Sequence, residues 1–413
     1  MTVTGHSRMS LGFGPFRVEK LLRYLVNQAV PDLAIGRLVV QLPGGELVCR
    51  GKAGAQPEMT IEIKRWRAMW KLAFGGEIGF AQSYINGDWL VGDLRMLFHL
   101  IMANETAFRP VTSSYWTLRG FRRLRHFLNR NTRRGSRRNI CAHYDLGNEF
   151  YAAWLDRDMN YSSALYGPTT TTLEEAQSAK LDRIVALLAP RAGEALLEIG
   201  CGWGSLAERL HQQGCKVTGI TLSPAQAAYA RQRLANAIAG KMVEIRLQDY
   251  RDVTGSFDHI VSIEMIEAVG EAFWPIFFER LRDRLKPGGT VVLQAITICE
   301  SRFEDYRSCT DFIQRYVFPG GMLPTASLIR LHARRVGLDV VEHLSLGESY
   351  ACTLSEWRCR FHHAWPKLAA MGFNEPFRRL WDYYLAYCEI GFRVKTTDVG
   401  LFKLRYGAQE KSE

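Results

Sequence analysis

The chain has 413 residues, 47% hydrophobic and 23% charged, with a formal net charge of +11. That is a globular composition long enough for two or three domains and a large core. No apolar run approaches the ~18 residues needed to span a bilayer, and nine scattered cysteines without a C-x-x-C pair indicate neither a disulfide framework nor a zinc site, so no metal is expected.

Met1-Thr-Val-Thr-Gly-His-Ser-Arg8 lacks the features of a secretion signal, which points to the cytoplasm. Strand-like Arg37 to Leu42, a Pro43-Gly-Gly45 turn, strand-like Glu46 to Arg50 and the alternating Met59 to Lys64 predict a small mixed domain containing a hairpin. Helical segments follow at Arg65 to Leu72 and Asp93 to Ala103, separated by Gly75-Gly76 and the Asn86-Gly-Asp88 turn. From Arg119 to Arg138 the chain is rich in arginine and has no acidic residue, and Phe121, Leu124, Phe127 and Leu128 fall at helical spacing. A basic amphipathic helix of this kind suits either an anionic lipid interface or a solvated interdomain connection.

From Asn139 to Ala295 strands and helices alternate. Strands are predicted at Ala195 to Ile199, Lys216 to Leu222, Val243 to Leu247, His259 to Ile263 and Thr290 to Ala295, and helices around Leu206, at Pro224 to Ala235 and at Phe273 to Leu285. The alternation argues for a doubly wound parallel sheet. Lys286-Pro-Gly-Gly289 reads as a helix stop before the last of these strands. Beyond Phe303 the chain reads as helical and aromatic-rich through Trp357, Trp365, Trp381, Tyr383, Tyr384 and Phe392. These aromatics suit an acyl channel or ordinary core.

The stretch Glu198-Ile-Gly-Cys-Gly-Trp-Gly204 joins the first of these strands to a helix. Its glycines let a ligand approach bare backbone, and the helix N-terminus offers free N–H groups. The dinucleotide fingerprint is not met, because the second strand ends in Thr221 and Leu222 without a carboxylate. The E-x-G-x-G-x-G pattern is that of S-adenosylmethionine (SAM) methyltransferases.

Further stretches resemble the cyclopropane-fatty-acyl-phospholipid synthases and mycolic acid cyclopropane synthases. These are Ala142 to Asn148, Met159 to Ser163, Leu196 to Gly204, Gly219 to Ser223 with Gln226, Gln248 to Asp252, Ser262 to Glu267 and Phe312 to Pro319, with Gly79 to Trp89 in the N-terminal part. The resemblance implies a class I methyltransferase α/β sheet with C-terminal helical insertions (139–413), a smaller N-terminal α+β lipid-interaction domain (1–115) and a basic linker between them (116–138). It implies that Tyr161, Ser162, Glu198, Gly200, Gly202 and Gly204 hold the methionine end of SAM, Thr221, Leu222 and Gln226 the ribose and adenosine side, and Gln248 and Asp249 the adenine edge.

The resemblance also implies a bound bicarbonate as base. Glu267, Tyr350 and the backbone of Ile296 match its cage, while Ser163 stands at the cysteine position and Gln294 at the histidine position. Both substitutes can donate hydrogen bonds to an anion. Methyl transfer to an unactivated alkene leaves a carbocation, which aromatic faces stabilise and a base discharges. The loss of a histidine beside Glu267 shifts the expected product toward a methyl- or methylene-branched acyl chain, of the kind that leads to methylated furan fatty acids. The alternative is a true cyclopropane synthase in which the two substitutions are drift. The expected partner is an anionic phospholipid membrane touched peripherally at its inner face, not nucleic acid, with homodimerisation left open. Competing readings are an RNA or protein methyltransferase, against which there is no Asn-Pro-Pro-Tyr loop, and a nonenzymatic lipid carrier, against which stands the intact Glu198 glycine loop.

Overall fold

A computed structural model describes Val26, residues 30–108 and residues 146–407. The chain divides into two compact units, residues 1–116 and 117–413. The expected basic helix and linker, and most of the Ala142 to Asn148 stretch, lie outside the described residues.

In the first unit, among the described residues, β1 (Arg37–Gln41), β2 (Leu47–Arg50), β3 (Glu58–Ile63) and β4 (Trp89–Val91) form a sheet in the order β2-β1-β3-β4. β1 and β2 are the expected antiparallel hairpin, and β3 runs parallel to β1. The alternation of β3 buries Met59, Ile61 and Ile63 on one face. The first helix is longer than its sequence suggested: α1 (Arg67–Ile85) continues through the glycine pair and kinks at Gly76, whose φ is 55°. A Cβ on Gly79 would sit 1.9 Å from the Lys71 carbonyl oxygen, so the two arms of the kink pack backbone to backbone. α2 (Leu94–Ala103) starts where Asp93 accepts a hydrogen bond from the Arg95 N–H, a side-chain N-cap.

Among the described residues of the second unit, the first helices are α3 (Asn148–Ala152) and α4 (Leu173–Leu188), the latter fixed at its start by a reciprocal Thr172/Glu175 capping box. Then β5 (Ala195–Ile199), α5 (Ser205–Gln212), β6 (Lys216–Thr221), α6 (Pro224–Arg233), α7 (Ala235–Ala239), β7 (Val243–Leu247), β8 (Phe257–Ile263), α8 (Trp274–Arg284) and β9 (Leu285–Ile298) alternate. The strands β5 to β9 are parallel and mostly buried, which is why they read as near-continuous apolar runs. The Lys286 to Gly289 turn lies inside β9 rather than before it. The pairing with β8 jumps from Leu285 to Thr290, so the turn bulges out and the ladder resumes where the sequence placed the strand.

The region beyond Phe303 is not wholly helical. Between α9 (Phe303–Ser308), α10 (Phe312–Tyr316), α11 (Ala326–Arg335) and the long α12 (Gly347–Ala370) and α13 (Glu375–Arg393) lie β10 (Leu338–Ser345) and β11 (Thr397–Tyr406). Both are antiparallel additions that extend the sheet to the order β10-β11-β9-β8-β5-β6-β7. β10 is an edge strand with exposed positions along its length, so its apolar signal is weak. β5 lies between β8 and β6, the point at which strand order reverses, and a ligand crevice forms beyond the C-terminal ends of strands at such a point.

Candidate active site

The glycine loop leaves the C-terminal end of β5 at this reversal. Gly200, Gly202 and Gly204 all have positive φ, at 87°, 53° and 90°. Their roles differ. A Cβ on Gly204 would lie 3.2 Å from Ala230 and Leu234 of the neighbouring helical layer, so this glycine lets α5 pack. A Cβ on Gly202 would meet nothing within 4 Å, so that stretch of backbone faces open space. Just behind it Glu198 is buried, and its Oε2 has no hydrogen-bond partner. Burial pushes this carboxyl up to about 8, opposed by the charge of Lys180. A bare cradle beside a buried carboxyl with one unpartnered oxygen fits a ligand carrying positive charge, whose arrival would favour the ionised form, as SAM does.

The adjoining strand ends complete the rim. Thr221 at the end of β6 donates its hydroxyl to Gln226 Oε1 at 2.9 Å and accepts from the Ser223 N–H, fixing the start of α6. Leu222 is half-buried beside them. Gln248, after β7, donates its N–H to the Thr221 carbonyl and its side-chain amide to the Asp252 carbonyl. Asp249 is bound to Arg251 at 2.6 Å, so its carboxylate serves the local turn.

The second half of the site lies past the end of β8. Three donors converge on one carboxylate, that of Glu264. The Ser163 N–H and Gln294 Nε2 each reach Oε1 at 2.7 Å, and the Tyr350 hydroxyl donates to Oε2 at 2.9 Å. Glu264 has a φ of 47°, a strained left-handed conformation for a residue with a side chain, held by its N–H on the Gln294 carbonyl at 2.7 Å. Burial raises its carboxyl above the usual range, opposed by the three donors and by Lys180. Glu267 is a turn away with its Oε1 accepting from the Ile296 N–H at 2.5 Å and its Oε2 unpartnered. Burial, and then the neighbouring Glu264, push Glu267 up to about 8. Of the pair, Glu264 is the one whose ionised form its surroundings favour, through three donors and Lys180, where Glu267 has only backbone donors.

Three expectations change on this geometry. The centre of the cluster is Glu264 rather than Glu267. The Ser163 hydroxyl donates to the Ala164 carbonyl, and it is the Ser163 backbone that faces the carboxylate. The Ile296 N–H is taken by Glu267 and is not free to hold an anion. Gln294 and Tyr350 both donate to the Glu264 carboxylate.

Aromatic side chains wall this cluster. Tyr161 bonds Tyr384 through their hydroxyls at 2.9 Å, and its ring lies 5.3 Å from Trp357 and 6.5 Å from Phe318. Tyr350 packs 6.0 Å from Trp357 and 4.6 Å from Phe392. α12 and α13 thus supply aromatic rings around a region in which Glu264 accepts from three donors.

The family described as mycolic acid cyclopropane synthetase matches residues 131–402, more than half of the chain. The chain belongs to this family. It is 41% identical over 332 residues to the tuberculostearic acid methyltransferase of Mycobacterium tuberculosis, covering 78% of each chain. It is 33% identical over 332 residues to the cyclopropane-fatty-acyl-phospholipid synthase of Escherichia coli, covering 80% of this chain and 82% of that one. Among solved structures, the cyclopropane synthase MmaA2 of Mycobacterium tuberculosis superimposes with a TM-score of 0.61 at 31% identity, covering 65% of this chain and 97% of that one. As a cyclopropane synthetase family member, the chain is a SAM-dependent methyltransferase with the class I fold. SAM supplies an electrophilic methyl group on a sulfonium, and Glu198, Gly200 and Gly202 border the place where it would be held.

The residues that sequence reasoning missed are Glu264, Lys180, Phe318 and the Asn148–Trp203 pair, in which the Trp203 indole donates to the Asn148 side chain at 2.8 Å beside the glycine loop. Glu264 stood inside a stretch already singled out, and its charge beside Glu267 was the available signal.

Proposed function

We propose that this chain transfers a methyl-derived carbon from SAM to the double bond of an unsaturated phospholipid acyl chain, with the Glu264 carboxylate as the proton acceptor. The observation that carries this reading is the convergence of Ser163 N–H, Gln294 and Tyr350 on Glu264 inside aromatic walls. These are the positions at which the resemblance expects a bicarbonate cage, and here a carboxylate of the chain itself occupies the donors. Bicarbonate is then not required as a separate base.

The new C–C bond uses the alkene electron pair and leaves a cation on the other olefinic carbon. The faces of Tyr161, Trp357 and Phe318 stabilise that charge, and a dry aromatic site keeps water from quenching it. Loss of a proton from the added methyl to Glu264 closes a cyclopropane. A hydride shift before proton loss gives a methylene chain, and loss from a neighbouring chain carbon gives a methyl-branched alkene. A saturated branched chain would need a separate reductant.

The comparisons back ring closure better than branching, since the matched family and the relatives with solved structures are named as cyclopropane synthases. Two observations favour the branched second reading: a tethered base in place of a mobile ion, and the 41% identity to a relative named as a tuberculostearic acid methyltransferase. The lipid partner is an anionic membrane surface met peripherally, a reading supported by the charge of +11. No helix among the described residues is long and apolar enough to cross a membrane.

The test is mass spectrometry and proton NMR of membrane lipids from cells expressing the protein, with labelled methionine and an empty-vector control. One labelled carbon with upfield ring protons gives the cyclopropane, and the same gain with olefinic or branched-methyl signals gives the second reading. No labelled lipid from folded, cofactor-binding protein overturns both.

A further inference from the structure

Lys180 is 1% exposed, the most deeply buried cation among the described residues. It lies on the inner face of α4, three residues after Gln177, so both side chains point the same way. Together they grip one residue: Gln177 Nε2 donates to the Ser162 carbonyl and Lys180 Nζ to the Ser162 hydroxyl, each at 2.9 Å. On either side of Ser162 are Tyr161, part of the aromatic wall, and Ser163, whose N–H holds Glu264. The next residue, Ala164, is tied through its N–H to the Thr353 hydroxyl of α12 at 3.1 Å.

Carboxyl groups from three different segments bear electrostatically on this ammonium: Glu264 after β8, Asp156 after α3 and Glu198 at the end of β5. Asp156 is already satisfied by the N–H groups of Asp158 and Asn160 and by the Asn160 amide. Glu198 and Glu264 are the two that belong to the site. A leucine at position 180 would fill the inner face of the helix without the cost of burying a charge, which is several kcal/mol before compensation. The ammonium therefore has work to do that packing does not explain.

We infer that Lys180 is a positioning residue that ties the cofactor end of the site to its base, fixing Ser163 on Glu264 through Ser162 and bringing one positive charge to bear on both Glu198 and Glu264. The inference rests on the reading of Glu264 as proton acceptor. Burial pulls the lysine down to about 8, opposed by the three carboxyls, and its charged form favours the ionised form of Glu264. The groups that bear on Glu264 are then Lys180, Glu267 and Tyr350. A cofactor cation arriving beside Glu198 meets the field of the same lysine, so SAM binding should be linked to proton uptake or release in this cluster.

The experiment compares K180Q, K180R, S162A and E264Q with the wild type in the pH dependence of kcat, with SAM titrations by calorimetry in two buffers of different ionisation heat. In K180Q the acid limb is expected to move up by about one pH unit, costing about tenfold in turnover below that limb, with a changed proton count on SAM binding. K180R should restore the limb. S162A, which keeps the charge and removes its acceptor, should lower turnover without moving the limb, and it carries the test of the mechanical tie if K180Q does not fold. Wild-type turnover in S162A overturns that tie. An inactive E264Q with an unmoved limb and unchanged proton count in K180Q overturns the inference alone. Wild-type turnover in E264Q overturns the Glu264 reading and the inference with it.

Discussion

Replacing Glu264 by glycine separates the base from its cage. The substitution removes the carboxylate but leaves its three donors, which now border a space about the size of a small carboxylate anion. Glycine adopts the φ of 47° without strain, returning about 1 kcal/mol. Against this, the Ser163 N–H, Gln294 amide and Tyr350 hydroxyl each lose a partner at 2.7–2.9 Å, and a buried donor left unpaired costs about 1–3 kcal/mol. The net loss is about 2–8 kcal/mol in the absence of an anion. Turnover should fall about 10²–10⁴-fold with the general base gone. Bicarbonate or formate should then refill the cage, and at 100 times its dissociation constant a bound anion returns about 2.7 kcal/mol. The assays are thermal unfolding and single-turnover methyl transfer in carbon-dioxide-free buffer, with bicarbonate titrated against chloride at equal ionic strength. E264Q, which fills the space with a neutral side chain, should be inactive and should not respond to bicarbonate. Undiminished turnover of E264G without added anion, or a loss that no anion restores in either assay, would refute the assignment of base and cage.

Y350F removes the donor to Glu264 Oε2, so the carboxylate loses one of the bonds that favours its ionised form. The acid limb of kcat should move to higher pH with little change in SAM affinity, read from a pH profile and a binding isotherm. G202A and G204A should fail in different ways. Gly202 has room for a methyl group and faces the cradle, so G202A should fold, at about 1–2 kcal/mol of backbone strain, and weaken SAM binding at least about tenfold by calorimetry. Gly204 has Ala230 and Leu234 at 3.2 Å from the added Cβ, so G204A should lower the melting temperature by more than G202A does. Burial raises Glu267 to about 8, above its value in an unfolded chain, so folded protein binds more protons there than unfolded protein. That contribution to stability is fully present below about pH 4.5 and is lost as pH rises toward 8. E267Q should therefore flatten the decline in stability across that window, by about 4–5 kcal/mol at its upper end, measured by urea unfolding at stepped pH. An equal slope in E267Q and wild type would contradict a protonated Glu267.

The parallel sheet was legible because its inner strands are buried on both faces, so that the apolar run Ala195 to Ile199 coincides with β5 residue for residue, while the alternating Val243 to Leu247 coincides with the edge strand β7. β10 and β11 were not, because an antiparallel edge pair after a long helical stretch leaves weak alternation, as at the half-exposed Val340 and Glu342. In the site, the glycine loop announced itself through residue type. The left-handed backbone of Glu264 did not, since nothing in the order Ser262-Ile-Glu-Met-Ile-Glu267 says that the first glutamate turns inward against its conformational preference. Lys180 reads in the sequence as one more surface lysine on a helix, and only the approach of Ser162 and Glu198 gives it a place.

The substitutions at 163 and 294 also take on a different meaning once the acceptor is part of the chain. The role of position 163 is filled by a backbone N–H, which any residue but proline provides, so a serine there carries no penalty. At position 294, an imidazolium beside a fixed carboxylate would form an ion pair and lower its basicity. A neutral glutamine amide holds the carboxylate in place and leaves more of that basicity available to a carbocation. Glutamine at 294 and glutamate at 264 then act as one unit, while residue type at 163 is neutral. Reversing Gln294 to histidine, or removing the Glu264 carboxylate, should lower turnover, because a free anion cannot enter while Glu264 fills the cage, and a vacated cage needs an anion from solution.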